Sequence, residues 1–134
     1  MVDQIEVHTP KRSALVEITT QIQRLVVKSG VQDGICYIFI PHTTAGVIIN
    51  ENADPTVQSD LLAELDKMVP WEDGYDHSEG NSAAHIKSSI VGASQFVFVS
   101  GGTLKLGTWQ GIYLAEFDGP RTRKVWIKVI AAFQ

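Results

Sequence analysis

Three of the four histidines in this 134-residue chain, His42, His77 and His85, lie in a middle stretch that is rich in carboxylates and amides. Such polar groups cost free energy when they are buried, unless they are paired or bind a metal. Imidazole is the commonest metal ligand in proteins and the usual acid or base near neutral pH. Although their spacing matches no zinc motif, the three histidines could form an open metal site with one position for water. The alternative is that they only cap turns or bond to the backbone.

His85 falls in the first turn of a predicted helix, where the positive end of the helix dipole disfavours an imidazolium ion. A neutral imidazole is the form that metal ligation and general-base catalysis require. Ile86 and Ile90 share a different face of this helix, and we expect that face to pack on the core. His77 lies in the loop before the helix, whereas His42 lies on a separate bend and can join the others only through the fold.

A second candidate is the acid and amide run over residues 50–54, at the end of an apolar strand. Asp54, followed by Pro55, is explained as the N-cap of a helix. Capping does not explain Glu51. A carboxylate at this position could orient a histidine or act as a base, so Glu51 is a candidate catalytic residue.

A glycine-rich segment spans residues 101–107. One polar side chain within it and two just after it could hold an anion. Glycine permits positive φ and close backbone approach, so a turn or a bulge explains the glycines themselves. Lys105, Thr108 and Gln110, together with exposed backbone N–H groups, are the candidates for binding a negatively charged group.

Two arginines follow an Asp-Gly turn near the C-terminal end. Arg121 and Arg123 have the side chain that best suits bidentate binding of phosphate or carboxylate. A pair with Glu116 or Asp118 is the plainer explanation of both. The Asp-Gly pair also predicts a hairpin between the two last strands.

The elements that must position these residues follow from the hydrophobic periodicity. It predicts about seven mostly antiparallel strands and about three helices in one domain over residues 1–134. This order is typical of an α+β sandwich and not of a βαβ fold. The apolar run over residues 35–40 predicts a strand that is buried on both faces.

Composition narrows the class of protein. A net charge of −4 argues against nucleic-acid binding that depends on a basic surface. No apolar run reaches the roughly 20 residues of a membrane helix. The one cysteine, Cys36, excludes an intramolecular disulfide and lies in an apolar run, so we expect it to pack in the core. The sequence therefore predicts a cytoplasmic protein with no nucleic-acid or membrane partner.

With these residues laid out, the chain resembles the YjbQ family, UPF0047. The resemblance covers about residues 35–129, and its motifs are His42-Thr43-Thr44-Ala45, Glu51-Asn52-Ala53-Asp54-Pro55, His77 with Asn81 and Ala84-His85-Ile86-Lys87, Leu106-Gly107-Thr108-Trp109-Gln110, and Glu116-Phe117-Asp118-Gly119-Pro120-Arg121. It implies a compact β-sandwich-like α+β fold that assembles as a homotrimer. It also implies thiamine phosphate synthase activity, as a principal or a secondary activity. This reaction joins an aminopyrimidine diphosphate to a thiazole phosphate and releases pyrophosphate in thiamine biosynthesis.

The resemblance also assigns roles to the candidates, with a phosphorylated small molecule as substrate. His42, His77 and His85 would bind a divalent metal, zinc or magnesium, and Glu51 or Glu79 would orient them. The catalytic positions would be Glu51, His85 and Arg121. The substrate-binding positions would be Asn52, Lys105, Thr108, Gln110 and Arg121. Two other functions stay open: a hydrolase that uses a metal-bound water, and a non-catalytic trimer that binds a small anionic metabolite.

Overall fold

The computed structural model describes residues 2–132, which form eight strands and three helices. The strands are β1 (Asp3–His8), β2 (Ala14–Glu17), β3 (Asp33–Phe39), β4 (Ala45–Glu51), β5 (Ser94–Ser100), β6 (Thr103–Leu104), β7 (Gln110–Glu116) and β8 (Thr122–Ala131). The helices are α1 (Thr19–Ser29), α2 (Pro55–Met68) and α3 (Ser82–Val91).

The strands form two antiparallel sheets. A five-stranded sheet has the order β1-β8-β3-β5-β6, and a three-stranded sheet has the order β2-β7-β4. The predicted α+β fold is therefore confirmed, with eight strands where the sequence indicated about seven.

The main core lies between the two sheets and under α1. Ile22 and Val26 of α1 have no exposed surface, and they pack with Ile38 of β3 and Ile112 of β7. The helix ends at Gly30, which takes φ 72°, a left-handed conformation that glycine adopts without a steric penalty. Here the amphipathic pattern of the sequence and the observed burial agree.

α2 and α3 cover the outer face of the three-stranded sheet. α3 runs so close to β4 that a Cβ atom on Gly46 would stand 2.6 Å from Gly92 O. The buried residues of α3 are Ala83, Ala84, Lys87 and Ser88, and the first two have no exposed surface. The prediction that Ile86 and Ile90 face the core is wrong: they are 38% and 56% exposed.

The outer face of the five-stranded sheet is rich in exposed aromatic side chains. Tyr37 and Phe39 of β3 are each 45% exposed, so the prediction that this strand is buried on both faces is wrong. The alternate residues of β3, including Cys36, are buried in the core, and burial raises the pKa of the Cys36 thiol to about 11. We call the exposed side chains the aromatic face; they are Tyr37, Phe39, Phe96, Phe98 and Trp126.

The predicted hairpin between the last two strands is also wrong. β7 pairs with β2 and β4, whereas β8 pairs with β1 and β3. Both edges of β7 are therefore occupied, and residues 117–121 carry the chain from one sheet to the other. This crossing contains a cis peptide bond between Gly119 and Pro120. Within residues 2–132, the helices are all too short or too polar to cross a membrane.

Candidate functional site

An open cavity of about 720 Å³ lies where four connecting segments meet. The β3–β4 connection contributes His42, the α2–α3 loop contributes His77, and the first turn of α3 contributes His85. Arg121 enters from the β7–β8 connection. The fold thus brings together all three histidines and both arginines that the sequence singled out. Their catalytic and metal-binding roles stay predictions.

His42 is held by the backbone of β8. The Lys124 N–H donates to Nε2 of His42 at 2.9 Å, so the neutral ring carries its proton on Nδ1. Burial lowers the pKa of His42, and the nearby Arg123 guanidinium lowers this pKa further. His42 is therefore fixed as a neutral imidazole that can donate a hydrogen bond from Nδ1.

His77 and His85 form a pair on the other side of the cavity. Their ring centroids lie 5.4 Å apart and their planes are perpendicular. Glu79 stands near the pair, with its Oε2 4.0 Å from Nε2 of His77. Two imidazoles and a carboxylate are thus close neighbours there.

These positions do not assemble the expected three-histidine metal site. Among residues 2–132, no three side chains of the His, Cys, Asp or Glu type are placed so that they could hold a metal ion together. Nε2 of His42 already accepts the Lys124 N–H, so this atom is not free to bind a metal. His77 and His85 are the two histidines whose geometry leaves them available as a pair. Metal binding itself stays a prediction.

Arg121 is aimed by a neighbouring carboxylate. Its Nε donates to Asp118 O at 2.7 Å, and its Nη2 donates to Asp118 Oδ2 at 2.9 Å. Asn81, at the N-cap position of α3, donates its Nδ2 to the same Oδ2 at 3.0 Å. The side chain of Arg121 is 52% exposed and that of Asp118 is 16% exposed. The plainer sequence prediction, that Arg121 pairs with Asp118, is confirmed.

The second arginine of the cavity is buried and pairs with a buried carboxylate. Arg123 donates to both carboxylate oxygens of Glu116, from Nε at 2.8 Å and from Nη2 at 2.5 Å. Glu116 also accepts from the Thr9 hydroxyl and from the Asp118 N–H. Burial alone would raise the pKa of Glu116, but these donors outweigh burial and hold its pKa below the ordinary value.

Arg123 also fixes the histidine-bearing loop. Its Nη2 donates to Thr44 Oγ1 at 2.8 Å, two residues after His42. The buried Glu116–Arg123 pair therefore joins the β3–β4 connection to the β7–β8 connection. These are two of the four segments that line the cavity.

The other predicted site residues lie elsewhere in the chain. β4 begins beside the cavity, and Glu51 lies at its far end, about 20 Å away at roughly 3.4 Å per residue. Gln110 pairs with Glu51 across the sheet, and the Asn52 N–H donates to Trp109 O. Thr108 lies in the turn just before β7. Within one chain the structure does not bring these residues to the histidines.

Lys105 lies at this far end as well. It lines a smaller cavity of about 310 Å³ together with Gln110, Phe96 and Phe98. We use the name distal cluster for the separated candidates, which are Glu51, Asn52, Lys105, Thr108 and Gln110. The aromatic face borders both cavities, because Phe39 lines the histidine cavity and Phe96 and Phe98 line the smaller one.

Sequence reasoning missed the residues that support the cavity. It weighed Glu116 and Asp118 only as partners of arginines, and it gave Asn81 no role of its own in the site. Arg123 was considered for binding an anion but not for holding the cavity together. The signal was present, because Asn81, Glu116 and Asp118 stand in the same motifs as the chosen residues. What the motifs could not indicate is that Asn81, from another segment, would meet Asp118.

The fold and the cavity define an α+β protein with two antiparallel sheets and a cavity lined by imidazole and guanidinium groups. The chain belongs to the family described as UPF0047 protein YjbQ-like, whose profile matches residues 3–132. The resemblance noted from the motifs is thereby confirmed.

Relatives match along nearly their whole length. The UPF0047 protein YugU of Bacillus subtilis is 51% identical over 97% of this chain and 99% of its own. A UPF0047 protein of Methanocaldococcus jannaschii is 50% identical over 97% of this chain and 94% of its own. The crystal structure of an uncharacterised conserved protein of the family from Clostridium acetobutylicum superposes with a TM-score of 0.94 at 52% identity, covering 96% of this chain and 99% of that one. These names state the family and no reaction.

Proposed function

We propose that this protein is a cytoplasmic enzyme that binds the phosphate groups of a small metabolite in the histidine cavity. The specific reaction that we propose is the thiamine phosphate synthase type of transfer, as a principal or a secondary activity. In it the thiazole nitrogen forms a bond to the methylene carbon of the aminopyrimidine diphosphate. The bond from that carbon to the diphosphate oxygen breaks, and pyrophosphate leaves with the electron pair.

The observation that carries this proposal is the state of Arg121. A guanidinium has five N–H donors, and Asp118 takes two of them. In the described part of the chain, no acceptor takes the other three. Arg121 is half exposed and lines the cavity, so these donors are held ready for a bidentate anion.

The histidines suit the same substrate. His42 can donate from Nδ1 to a phosphate oxygen, because Lys124 N–H occupies its other nitrogen. Hydrogen-bond donors that are fixed before the reaction stabilise the charge that develops on a leaving group, and they do so without reorganising. His85, in the first turn of α3, lies where it could exchange a proton with the substrate. A divalent ion, zinc or magnesium, is still proposed at His77 and His85, and no step above depends on it.

The distal cluster could contribute to the histidine cavity only if several subunits assemble. We propose that the chain forms a homotrimer and that Lys105 of one subunit approaches the Arg121 cavity of the next. Two features support this. The aromatic face exposes Phe96 and Phe98 by 53% and 57%, which is unusual for a monomer. In a cyclic trimer, each contact joins two different surfaces, so opposite ends of the fold can meet. Glu51, Asn52, Thr108 and Gln110 would then follow Lys105 to the site.

Purified protein incubated with the aminopyrimidine diphosphate and the thiazole phosphate tests the proposed reaction. We expect thiamine phosphate and pyrophosphate as products, and a rate about 100-fold lower for Arg121→Gln, since one fixed donor group is removed. Arg24→Gln, on the exposed side of α1, is the matched control and should leave the rate unchanged. Wild-type protein that forms no thiamine phosphate above background would rule out this reaction.

The same assay separates the alternatives. Release of pyrophosphate without the thiazole substrate would indicate the hydrolase. Binding of pyrophosphate with no product at all would indicate the non-catalytic binder.

A further inference from the structure

Asn81 is placed unusually for a residue that begins a helix. Asparagine at an N-cap normally accepts a backbone N–H of the first turn with its side-chain oxygen. In α3 the Asn81 side chain makes no such bond. Its Nδ2 donates to Asp118 instead, and its Oδ1 is buried without a hydrogen-bond partner. Within residues 2–132, no other buried side-chain nitrogen or oxygen lacks a partner.

The orientation of this amide is determined by its neighbours. Exchanging Nδ2 and Oδ1 would turn an oxygen towards the Asp118 carboxylate, which already accepts from Arg121 on the same Oδ2. Two acceptors would then face each other, so Nδ2 stays on Asp118 and Oδ1 stays on the other side. A buried acceptor without a partner destabilises a fold. Residues whose local arrangement lowers the stability of the fold are expected at functional sites.

We propose that Asn81 is a positioning residue of the cavity, which holds the Asp118 carboxylate so that this carboxylate aims the Arg121 guanidinium. The functional consequence of this positioning rests on the proposed binding of phosphate by Arg121. This role explains why Asn81 does not cap α3 and why its Oδ1 has no partner. Both follow from the orientation in which Nδ2 donates to Asp118.

The other hydrogen bonds of the β7–β8 connection fix the backbone position of Asp118 but not the direction of its side chain. The Asp118 N–H donates to Glu116, and the next N–H, of Gly119, donates to Arg12 O. Both bonds fix the backbone. Among the described residues, the donors to the Asp118 carboxylate are Asn81 and Arg121 themselves. Asn81 is 9% exposed, and its backbone oxygen accepts the Ala84 N–H at the start of α3, so it is the most firmly held of the three.

Asn81→Ser separates a positioning role from a structural one. Serine caps helices well, is too short to reach Asp118, and removes the unpaired amide oxygen. We expect N81S to keep its unfolding midpoint within about 4 °C of the wild type. We also expect the Arg121 Nη2 group, which donates to the Asp118 carboxylate, to become mobile by ¹⁵N relaxation. The Kd for pyrophosphate should rise about tenfold. Gln21→Ser, an exposed amide-to-serine change on α1, is the matched control.

A double-mutant cycle with Asp118→Ala completes the test. If Asn81 acts through Asp118, adding N81S to D118A should leave Arg121 mobility and pyrophosphate binding unchanged. The proposal is overturned if Arg121 is as ordered in N81S as in the wild type, if N81S loses stability and binding in proportion, or if the two changes add independently. Wild-type protein that does not bind pyrophosphate would remove the proposed function instead, while the order of Arg121 would still decide the role of Asn81.

Discussion

Glu116 and Arg123 form a buried ion pair in which the guanidinium donates to both carboxylate oxygens, at 2.8 and 2.5 Å. Glu116 has no exposed surface and Arg123 is 5% exposed. Removing one partner of such a pair leaves the other charge buried without compensation. We expect Glu116→Gln to lower the free energy of unfolding by about 3–5 kcal/mol in urea titrations.

The control for that change is Glu64→Gln. Glu64 is 65% exposed and lies 3.8 Å from an exposed lysine, Lys67, so its loss should cost less than about 1 kcal/mol. Equal effects of the two substitutions would contradict the structural role of the buried pair.

The same pair predicts how stability depends on acid. The pKa of Glu116 in the fold lies below its ordinary value of 4.5. Its stabilising contribution is therefore complete above pH 4.5 and is lost as the pH falls through the folded-state pKa. We expect the difference in unfolding free energy between wild type and E116Q to shrink between about pH 5 and pH 3. A difference that stays constant over this range would mean that Glu116 has an ordinary pKa.

His42 provides a test at neutral pH. Burial and then Arg123 lower its pKa below 6.5, and Lys124 N–H occupies Nε2. We expect ring ¹⁵N shifts at pH 7 that report a neutral imidazole with its proton on Nδ1, and a titration midpoint below 6.5. A proton on Nε2, or a midpoint at or above this value, would show that the ring is not held as described.

Metal content tests the remaining prediction about the histidines. His77 and His85 are adjacent, whereas Nε2 of His42 is engaged by the backbone. After exposure to zinc and buffer exchange, we expect His77→Ala and His85→Ala to lose the zinc that the wild type retains, and His42→Ala to keep it. Elemental analysis measures this directly. Equal zinc in wild type and His85→Ala would remove His85 as a ligand, and wild type without zinc would remove zinc as the metal.

The aromatic face predicts the state of assembly. Phe98 is 57% exposed on this face, and a charge there should be tolerated in a monomer but not in a contact between subunits. We expect light scattering to give three times the mass of one chain for the wild type, and a single chain for Phe98→Lys. Val27→Lys, at a 66% exposed position on α1, should leave the mass unchanged. A wild-type monomer would end the proposal that Lys105 joins the site from a neighbour.

Local signals in the sequence determined the helices. Asp54 caps α2 by accepting the Thr56 N–H at 2.9 Å, and α3 has His85 in its first turn, as predicted, and ends before Gly92. Capping residues and terminal glycines act on the adjacent helical turn, so their effect can be predicted from the local sequence. The strand pairing was not readable in this way. The Asp-Gly turn predicted a hairpin, but both edges of β7 are taken by strands that lie far away in sequence.

The candidate site was likewise predictable only in part from the sequence. The sequence by itself identified the histidine cluster and the family, because residue types and motifs are properties of the chain order. Tertiary structure alone decided that His42 meets His77 and His85, since they lie on different segments. It also separated Glu51 from them, because an extended seven-residue strand carries its two ends about 20 Å apart. Proximity across a fold depends on which strands pair, and that pairing is set by the packing of the whole core and not by any one segment.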